Sequence, residues 1–345
     1  PFFYVSSICL HTDVRPTVGE AGRVAMIRSK MPPVLCIFED ERYPNFFPLS
    51  LDRPIFDLSV GTQSLRSRLA EELNPHALAL LCRPYLAAVL REEEARESTR
   101  PALVNELPAG EILFLNGRVL AYGSELADIV SLIAKDTVLH KLGTIVAARL
   151  SEERAAAFAA YMGSLISDES VEKAVQNLKR AAAPEAPKER ESSEEDRDKA
   201  RSKALGRWVQ QSGVKLEETN VRLLSHSWQL IAENRACIVD DFQKNPLRGT
   251  APETELFKGV ELINENDIVI GANVEVRSGT VLDASEGAIV VANNVRIEPN
   301  AIIYGPCAIG EGSIVRGGAK VGHGTTLGKQ RRVGGEIEEC IFASY

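Results

Sequence analysis

Two short stretches of this 345-residue chain carry most of the residue types that could do chemistry. "FEDERYPNFFPLSLDRPIFDL", residues 38–58, sets Glu39, Asp40 and Glu41 in a row, followed by Asn45, Arg53 and Asp57. "FLNGRVL", residues 114–120, sets Asn116, Gly117 and Arg118 in succession. An arginine fork matches a phosphate or a carboxylate equally well, through two parallel hydrogen bonds. Arg53 and Arg118 therefore read either as phosphate ligands or as ion-paired scaffold. Asn45 and Asn116 can form turns or donate to a bound base and sugar, and Asp57 reads as a local cap or ion-pair partner. Asp240 and Asp241, before "FQKNP", could offer carboxylates to a metal, but they suit the end of a helix better. His323 in "VGHGTT" is a lone imidazole beside glycines, a general base or a corner residue. His140 and His226 read as packing or surface residues on helical stretches.

The bulk numbers narrow the partners. A net charge of −8 and a pI near 5.4 argue against a nucleic-acid-binding surface. No apolar run approaches the roughly 20 residues a membrane span needs. The six cysteines (Cys9, Cys36, Cys82, Cys237, Cys307 and Cys340) are scattered without a CxxC pair. That distribution points to reduced thiols in a cytoplasmic protein and away from a cysteine-ligated metal. Residues 1–30 open on Pro1 and lack the basic start of a signal peptide. They read as an extension upstream of Met31 that is no part of the fold.

The elements that must position these residues alternate. "PVLCIFED" (33–40) is a short apolar run stopped by acids, as in a buried strand. "SLRSRLAEEL" and "PYLAAVLREEEARE" read as helices, and "EILFLNGRVLAYG" as a core strand ending in a loop. "SELADIVSLIAKD" and "SEERAAAFAAYMGSLI" read as amphipathic helices, each led by a serine suited to an N-cap. Strands alternating with helices imply an α/β domain on a mostly parallel sheet, over residues 31–219. Within it, 181–204 is charged and poor in aliphatic residues, so disorder is expected there. A helical connector is expected over 220–255.

The last 90 residues follow a different rule. Val291, Ile297, Ile303, Ile309, Val315, Val321 and Leu327 recur at every sixth position, preceded by Ile270, Val276 and Leu282. "DASEGA" adds three residues between the two sets. Four positions after each aliphatic stands a small or slim residue, and glycine often fills the next site, as at Gly271, Gly310, Gly322 and Gly328. A step of six fits neither helix nor plain strand alternation. It fits a short strand that sends one aliphatic inward before a tight corner, where glycine supplies positive φ. No such unit buries its apolar face alone, so successive units must stack into a solenoid over 256–345. After Leu327 the spacing gives way to "KQRRVGGEIEECIFASY", whose last apolar residues are expected to begin another layer.

This repeat resembles the hexapeptide-repeat, left-handed parallel β-helix proteins. Together with "FEDERYPNFFPLSLDRPIFDLSVGTQSLRSRL" (38–69) and "VNELPAGEILFLNGRVL" (104–120), it makes the chain similar to the alternate GlmU-like family. Members are bifunctional UDP-N-acetylglucosamine diphosphorylase/glucosamine-1-phosphate N-acetyltransferases. The resemblance implies a Rossmann-like α/β nucleotidyltransferase domain ahead of the β-helix. It also implies uridylyl transfer from UTP to N-acetylglucosamine 1-phosphate with Mg²⁺, acetyl-CoA as the second co-substrate, and a homotrimer joined through the β-helix. Arg53 falls near the usual basic position of such enzymes and Arg118 stands where a magnesium-binding aspartate is usual. Both are carried over as catalytic candidates, with Asn45, Asn116 and Gly117 as substrate-binding ones. The family's catalytic histidine lies in coils beyond Tyr345, so the β-helix here is expected to be truncated. The acids at 39–41, where such enzymes cradle phosphate on glycines, would repel a triphosphate unless turned away. Two alternatives follow: a non-catalytic sugar-nucleotide-binding or assembly module, and an acyltransferase whose first domain only recognises substrate.

Overall fold

The computed structural model describes residues 34–120, 126, 129–130, 133–181, 194–250 and 256–343. The expectation for residues 1–30 lies outside the described residues.

The first domain is built on a sheet of order β5-β4-β1-β6-β8-β7-β9. Its strands are β1 (Val34–Phe38), β4 (Ala77–Leu81), β5 (Leu103–Val104), β6 (Ile112–Asn116), β7 (Thr137–Lys141), β8 (Thr144–Leu150) and β9 (Lys215–Glu218). A small antiparallel hairpin, β2 (Ser59–Val60) with β3 (Gln63–Ser64), stands apart. β5, β4, β1 and β6 are parallel, β8 runs against β6 and β7, and β9 lies parallel to β7. Every residue of β1 and β6 is buried, as expected of strands covered on both faces. Leu35 and Ile37 enter one core layer with Phe56, Leu113 and Leu115. Cys36 and Phe38 enter the other, against Phe114, Phe158 and Trp208.

The helices α1 (Leu65–Leu73), α2 (Ala87–Glu97), α3 (Glu152–Leu165), α4 (Asp168–Ala181), α5 (Glu194–Ser212) and α6 (Trp228–Lys244) complete the described part. Ser64 caps α1 by accepting from the Ser67 N–H. Ser151 holds the N-cap position of α3, but its hydroxyl bonds Asp136 instead of the helix. Of the expected helix at 124–136, the described Leu126, Ile129 and Val130 are helical and buried.

Three expectations are corrected here. Of the stretch 181–204, residues 182–193 lie outside the described residues, while Glu194 onward is the charged first half of α5. That half is carried by the apolar anchors Leu205 and Trp208 further along the same helix. The helical connector starts only at Trp228; Leu223 instead bridges Val119. His140 lies on β7 and His226 precedes α6, stacked on Trp228 at 4.2 Å.

Residues 256–343 form a parallel β-helix with three faces. One sheet aligns Glu261–Ile263, Val281–Asp283, Ile302–Tyr304, Lys320–Gly322 and Glu336–Glu338. The second aligns Ile268–Ile270, Ile289–Val291, Cys307–Ile309, Thr325–Leu327 and Ile341–Phe342. The third aligns Glu275–Val276, Arg296–Ile297, Ile314–Val315 and Arg332–Val333. Ile289 pairs with Cys307, 18 residues on, whereas Ile270 pairs with Val291, 21 residues on. The extra three are the "DASEGA" insertion, which bulges from one coil without breaking the stack. The spacing does give way after Leu327, and Ile341–Phe342 stacks as a further layer on Thr326–Leu327, as expected. Val333, Ile337 and Phe342 join the same core, and Val321 pairs with Ile337 only 16 residues on, so the coil tightens and continues.

The corners modify the expected glycine role. Positive φ falls on Asn273, Asn294 and Asn300 and on glycines such as Gly312 and Gly318. Gly310 serves close approach instead: a Cβ there would come within 2.6 Å of the Gly328 backbone on the next coil.

The two parts share a polar junction. Asn234 of α6, fully buried, accepts from the Gly61 N–H at 2.7 Å and donates to the Gly324 carbonyl at 2.7 Å. The Thr326 hydroxyl donates to the Gly61 carbonyl at 2.9 Å. Beside it, Arg68 of α1 pairs with Asp240 and Asp241 of α6, at 3.2 and 2.7 Å. Asp241 also accepts from the Thr62 N–H and hydroxyl. The Asp240–Asp241 pair is thus a clamp between helices, with an arginine in place of a metal.

Candidate active site

In an open sheet, ligands bind outside the carboxyl ends of the strands where the strand order reverses. Here the chain runs outward from β1 to β4 and β5, then returns to place β6 on the other side of β1. The reversal lies between β1 and β6. From these ends emerge Glu39, Asp40 and Glu41, and Gly117 and Arg118.

The three acids are turned inward, and each meets an arginine from a different element. Glu39 pairs with Arg83, which follows β4, at 3.1 Å, and neither side chain is exposed. Glu39 also accepts from the Ile55 N–H at 2.8 Å, while Arg83 donates to the Arg53 carbonyl at 2.8 Å and lies 4.6 Å over the Tyr43 ring. This pair suspends the 48–55 loop. Asp40 pairs with Arg118 at 2.5 Å, each 2 % exposed. Arg118 Nε lies 3.0 and 3.1 Å from the two carboxylate oxygens, and its Nη1 donates to the Leu224 carbonyl. The Asn116 amide donates to Asp40 at 2.7 Å, and the Arg42 N–H donates to it at 3.1 Å. Burial pushes the Asp40 carboxyl up, but the Arg118 charge and these hydrogen bonds outweigh it, leaving the group below its ordinary value. Glu41 pairs with Arg201 of α5 at 2.7 Å; burial and the neighbouring Asp40 charge nevertheless hold its carboxyl above the usual range.

The remaining candidates divide. Asn116, buried, accepts from the Arg118 N–H at 2.9 Å and donates also to the Ile145 carbonyl at 2.8 Å, so it orients Asp40. Gly117 permits a tight crossing, since a Cβ would come within 2.8 Å of the Phe56 Cβ. Asn45 donates to the Ser225 carbonyl at 3.0 Å and ties down the segment before α6. Arg53 bonds its neighbour Asp52 at 3.2 Å and lines clefts beside the β-helix wall, not the one at β6. Arg53 and Arg118, the two catalytic candidates, line different clefts. Asp57 pairs with Arg66 at 2.8 Å, and burial pushes its carboxyl up to about 7. His323 occupies a corner at φ +51°, stacked on Tyr304 at 5.0 Å.

A cleft of about 760 Å³ opens at the β1/β6 reversal. Arg42, Arg118, Lys141 and Lys199 line it, with Thr144, Ser202 and Ser225 as neutral polar groups and Asp198 as the one carboxylate. Sequence reasoning missed Arg42, Lys141 and Lys199. Arg42 hides behind three acids, Lys141 gains meaning only because the β7–β8 turn reaches this edge, and Lys199 sits in the stretch expected to be disordered. Four cations against one anion suit phosphate groups.

The donor set does not suit a protein-held Mg²⁺. Both Asp40 oxygens are taken up by Arg118, Asn116 and the Arg42 N–H, and Glu39 and Glu41 are likewise paired with arginines. Among the described residues no group of three His, Cys, Asp or Glu could hold a metal ion.

A family comparison matches residues 35–246, from β1 to just beyond α6, to "Sugar nucleotidyl transferase". This chain belongs to that family. The matched span includes the whole cleft and helix α6, so the helix that carries the β-helix counts as part of the nucleotidyltransferase unit. Residues 288–328 match "Bacterial transferase hexapeptide (six repeats)". Comparison with curated proteins gives no match. A sugar nucleotidyltransferase joins a nucleotide to a sugar phosphate. Among the described residues no helix is long and apolar enough to cross a membrane.

Proposed function

We propose that the cleft between β1 and β6 transfers a uridylyl group from UTP to N-acetylglucosamine 1-phosphate. The observation that carries this reading is the convergence of Arg42, Arg118, Lys141 and Lys199 at the strand-order reversal of a sugar nucleotidyltransferase domain. A phosphate oxygen of the sugar phosphate attacks the α-phosphorus of UTP, the bond to the bridging oxygen of the β-phosphate breaks, and pyrophosphate leaves. Such transfers depend on in-line positioning and on neutralising charge spread over phosphate oxygens. Arg42, Lys141 and Lys199 supply positive ends at the cleft, and Arg118, held by Asp40, adds a fixed one. Asn116 and Gly117 shape the floor, and Asn45 positions the segment that carries Ser225. Arg53 acts at a distance, through the loop hung from Arg83. The chain's own carboxylates at the cleft are occupied, so no step is assigned to a metal held by them.

The β-helix, in this reading, is left-handed, assembles the chain as a cytoplasmic homotrimer, and belongs to an acetyl-CoA-dependent acetyltransferase half. Pyrophosphate release from UTP plus N-acetylglucosamine 1-phosphate tests the main reaction. Release in the wild type and its loss in Arg42→Ala support the reading; release only with another triphosphate or sugar phosphate refutes the substrates named.

A second reading rests on the saturated Asp40–Arg118 pair. With that carboxylate closed, the cleft could bind a sugar nucleotide without making one. Binding of UDP-N-acetylglucosamine with no pyrophosphate release under any substrate pair would favour it.

A further inference from the structure

The first three turns of α5 lie over the cleft without an apolar anchor of their own. Among its described side chains the buried ones start at Leu205, and Trp208 beyond it stacks on Tyr161 at 5.4 Å and meets Phe158 edge-on at 5.6 Å. The charged half is held by ion pairs: Asp198 Oδ1 accepts from Arg42 at 2.7 Å and from Arg201 at 2.5 Å, and Arg201 reaches Glu41 at 2.7 Å. Gly143, at φ +77° in the β7–β8 turn, lets the helix come so close that a Cβ there would meet Ser202 Oγ at 2.5 Å. Asp198 is thus the one carboxylate lining a cleft of four cations, and it sits on the cation that follows β1.

We propose that Asp198 stands in for a ligand phosphate: Arg42 and Arg201 form a phosphate subsite, and a bound phosphate group takes over their hydrogen bonds while Asp198 withdraws. The geometry suits the exchange. A carboxylate oxygen that accepts from two guanidinium groups occupies the place of one phosphate oxygen, and a phosphate brings further oxygens toward Lys141 and Lys199. The exchange needs only the Asp198 side chain to turn aside, because Arg201 rides on the same helix and stays to hold the phosphate. Ion pairs that are part-exposed hold Asp198 only weakly. The inference rests on the proposed function in one respect: the phosphate belongs to the nucleotide or to the pyrophosphate it releases.

Isothermal titration with UTP and, separately, with pyrophosphate, on the full chain and on Asp198→Asn and Arg201→Met, tests the subsite. Asp198→Asn keeps the side-chain shape while removing the competing charge. It should tighten both ligands about tenfold, roughly the energy of one charge-assisted hydrogen bond. Arg201→Met should weaken pyrophosphate in either background. Unchanged or weaker binding by Asp198→Asn, with circular dichroism and melting preserved, overturns the stand-in role, and pyrophosphate release assays then still decide the enzyme reading. Tightened pyrophosphate binding in a protein that transfers no uridylyl group supports the subsite while the enzyme reading falls. Binding of neither ligand to any folded variant overturns both.

Discussion

The Asp40–Arg118 pair allows a test in which the two uses of an arginine give opposite results. Replacing Arg118 with Met keeps an unbranched apolar stem, removes the guanidinium and leaves Asp40 buried without its partner. Arg118 meets that carboxylate at 2.5 to 3.1 Å and also bonds the Leu224 carbonyl. Removing one member of a buried ion pair typically costs about 3–5 kcal/mol, about a fifth or more of the ~5–15 kcal/mol that holds an ordinary domain together. The pH dependence has a definite sign. In the wild type Asp40 has a lowered native pKa, so the pair's contribution is present above the unfolded value and is lost as pH falls through the native one. In Arg118→Met, burial acts on Asp40 against only the Asn116 amide and the Arg42 N–H, and raises the native pKa above the unfolded value. The variant's deficit should therefore be largest near pH 7 and shrink as pH falls toward 4. Urea unfolding of the wild type, Arg118→Met, Asp40→Asn and the double variant, between pH 4 and 8, measures this. The double variant should recover much of the loss, because neither charge is then left unpaired. A midpoint for Arg118→Met within about 0.5 kcal/mol of the wild type, with UTP binding abolished, would refute the scaffold argument and make Arg118 a phosphate ligand first.

Three further outcomes follow. Asn234→Ala removes buried bonds to Gly61, Gly324 and Thr326 and should cost about 3 kcal/mol; calorimetry should show one transition splitting into two, and a single unchanged peak would mean the junction does not couple the domains. Asp57, with its carboxyl raised to about 7 by burial, binds a proton in the folded state at pH values where the unfolded chain has lost it, so its contribution falls as pH rises from about 4 to 7. Asp57→Asn should flatten that slope in pH-dependent unfolding; an identical slope refutes the assignment. Ile303→Ala, fully buried in the β-helix, should cost about 2–5 kcal/mol, read as a lower melting temperature of the C-terminal part, with pyrophosphate release at low temperature unaffected.

The sequence by itself determined the features whose cause is local. Residues six apart along a strand-and-corner path must share a face, so Ile297, Ile303 and Ile309 announced a stacked solenoid and the three residues of "DASEGA" an enlarged coil. The continuous apolar runs of β1 and β6 announced strands buried on both sides, and the alternation of strands with helices announced the α/β sheet. Positive φ was harder to place: asparagine takes many of the corners, and Gly310 answers to a neighbouring coil that periodicity alone does not display. The tail after Leu327 was legible as a further layer, and the structure adds that its coil is tightened, keeping core contacts while losing the six-residue count. The candidate site was less legible still. Arg118 and Asp40 stand 78 residues apart, and an arginine after "LNG" looks the same whether its fork meets a phosphate or an aspartate. Only the sheet order, which returns β6 beside β1, decides that meeting. The same holds for Glu39 with Arg83, Glu41 with Arg201, and Asp198 with Arg42. A charge's partner depends on which chain ends converge in space, and that is set by burying the sheet and its helices, not by any spacing along the chain. Tertiary structure therefore turned three acids that seemed to forbid a triphosphate into the anchors of three arginines, and gathered at their side the cations that invite one.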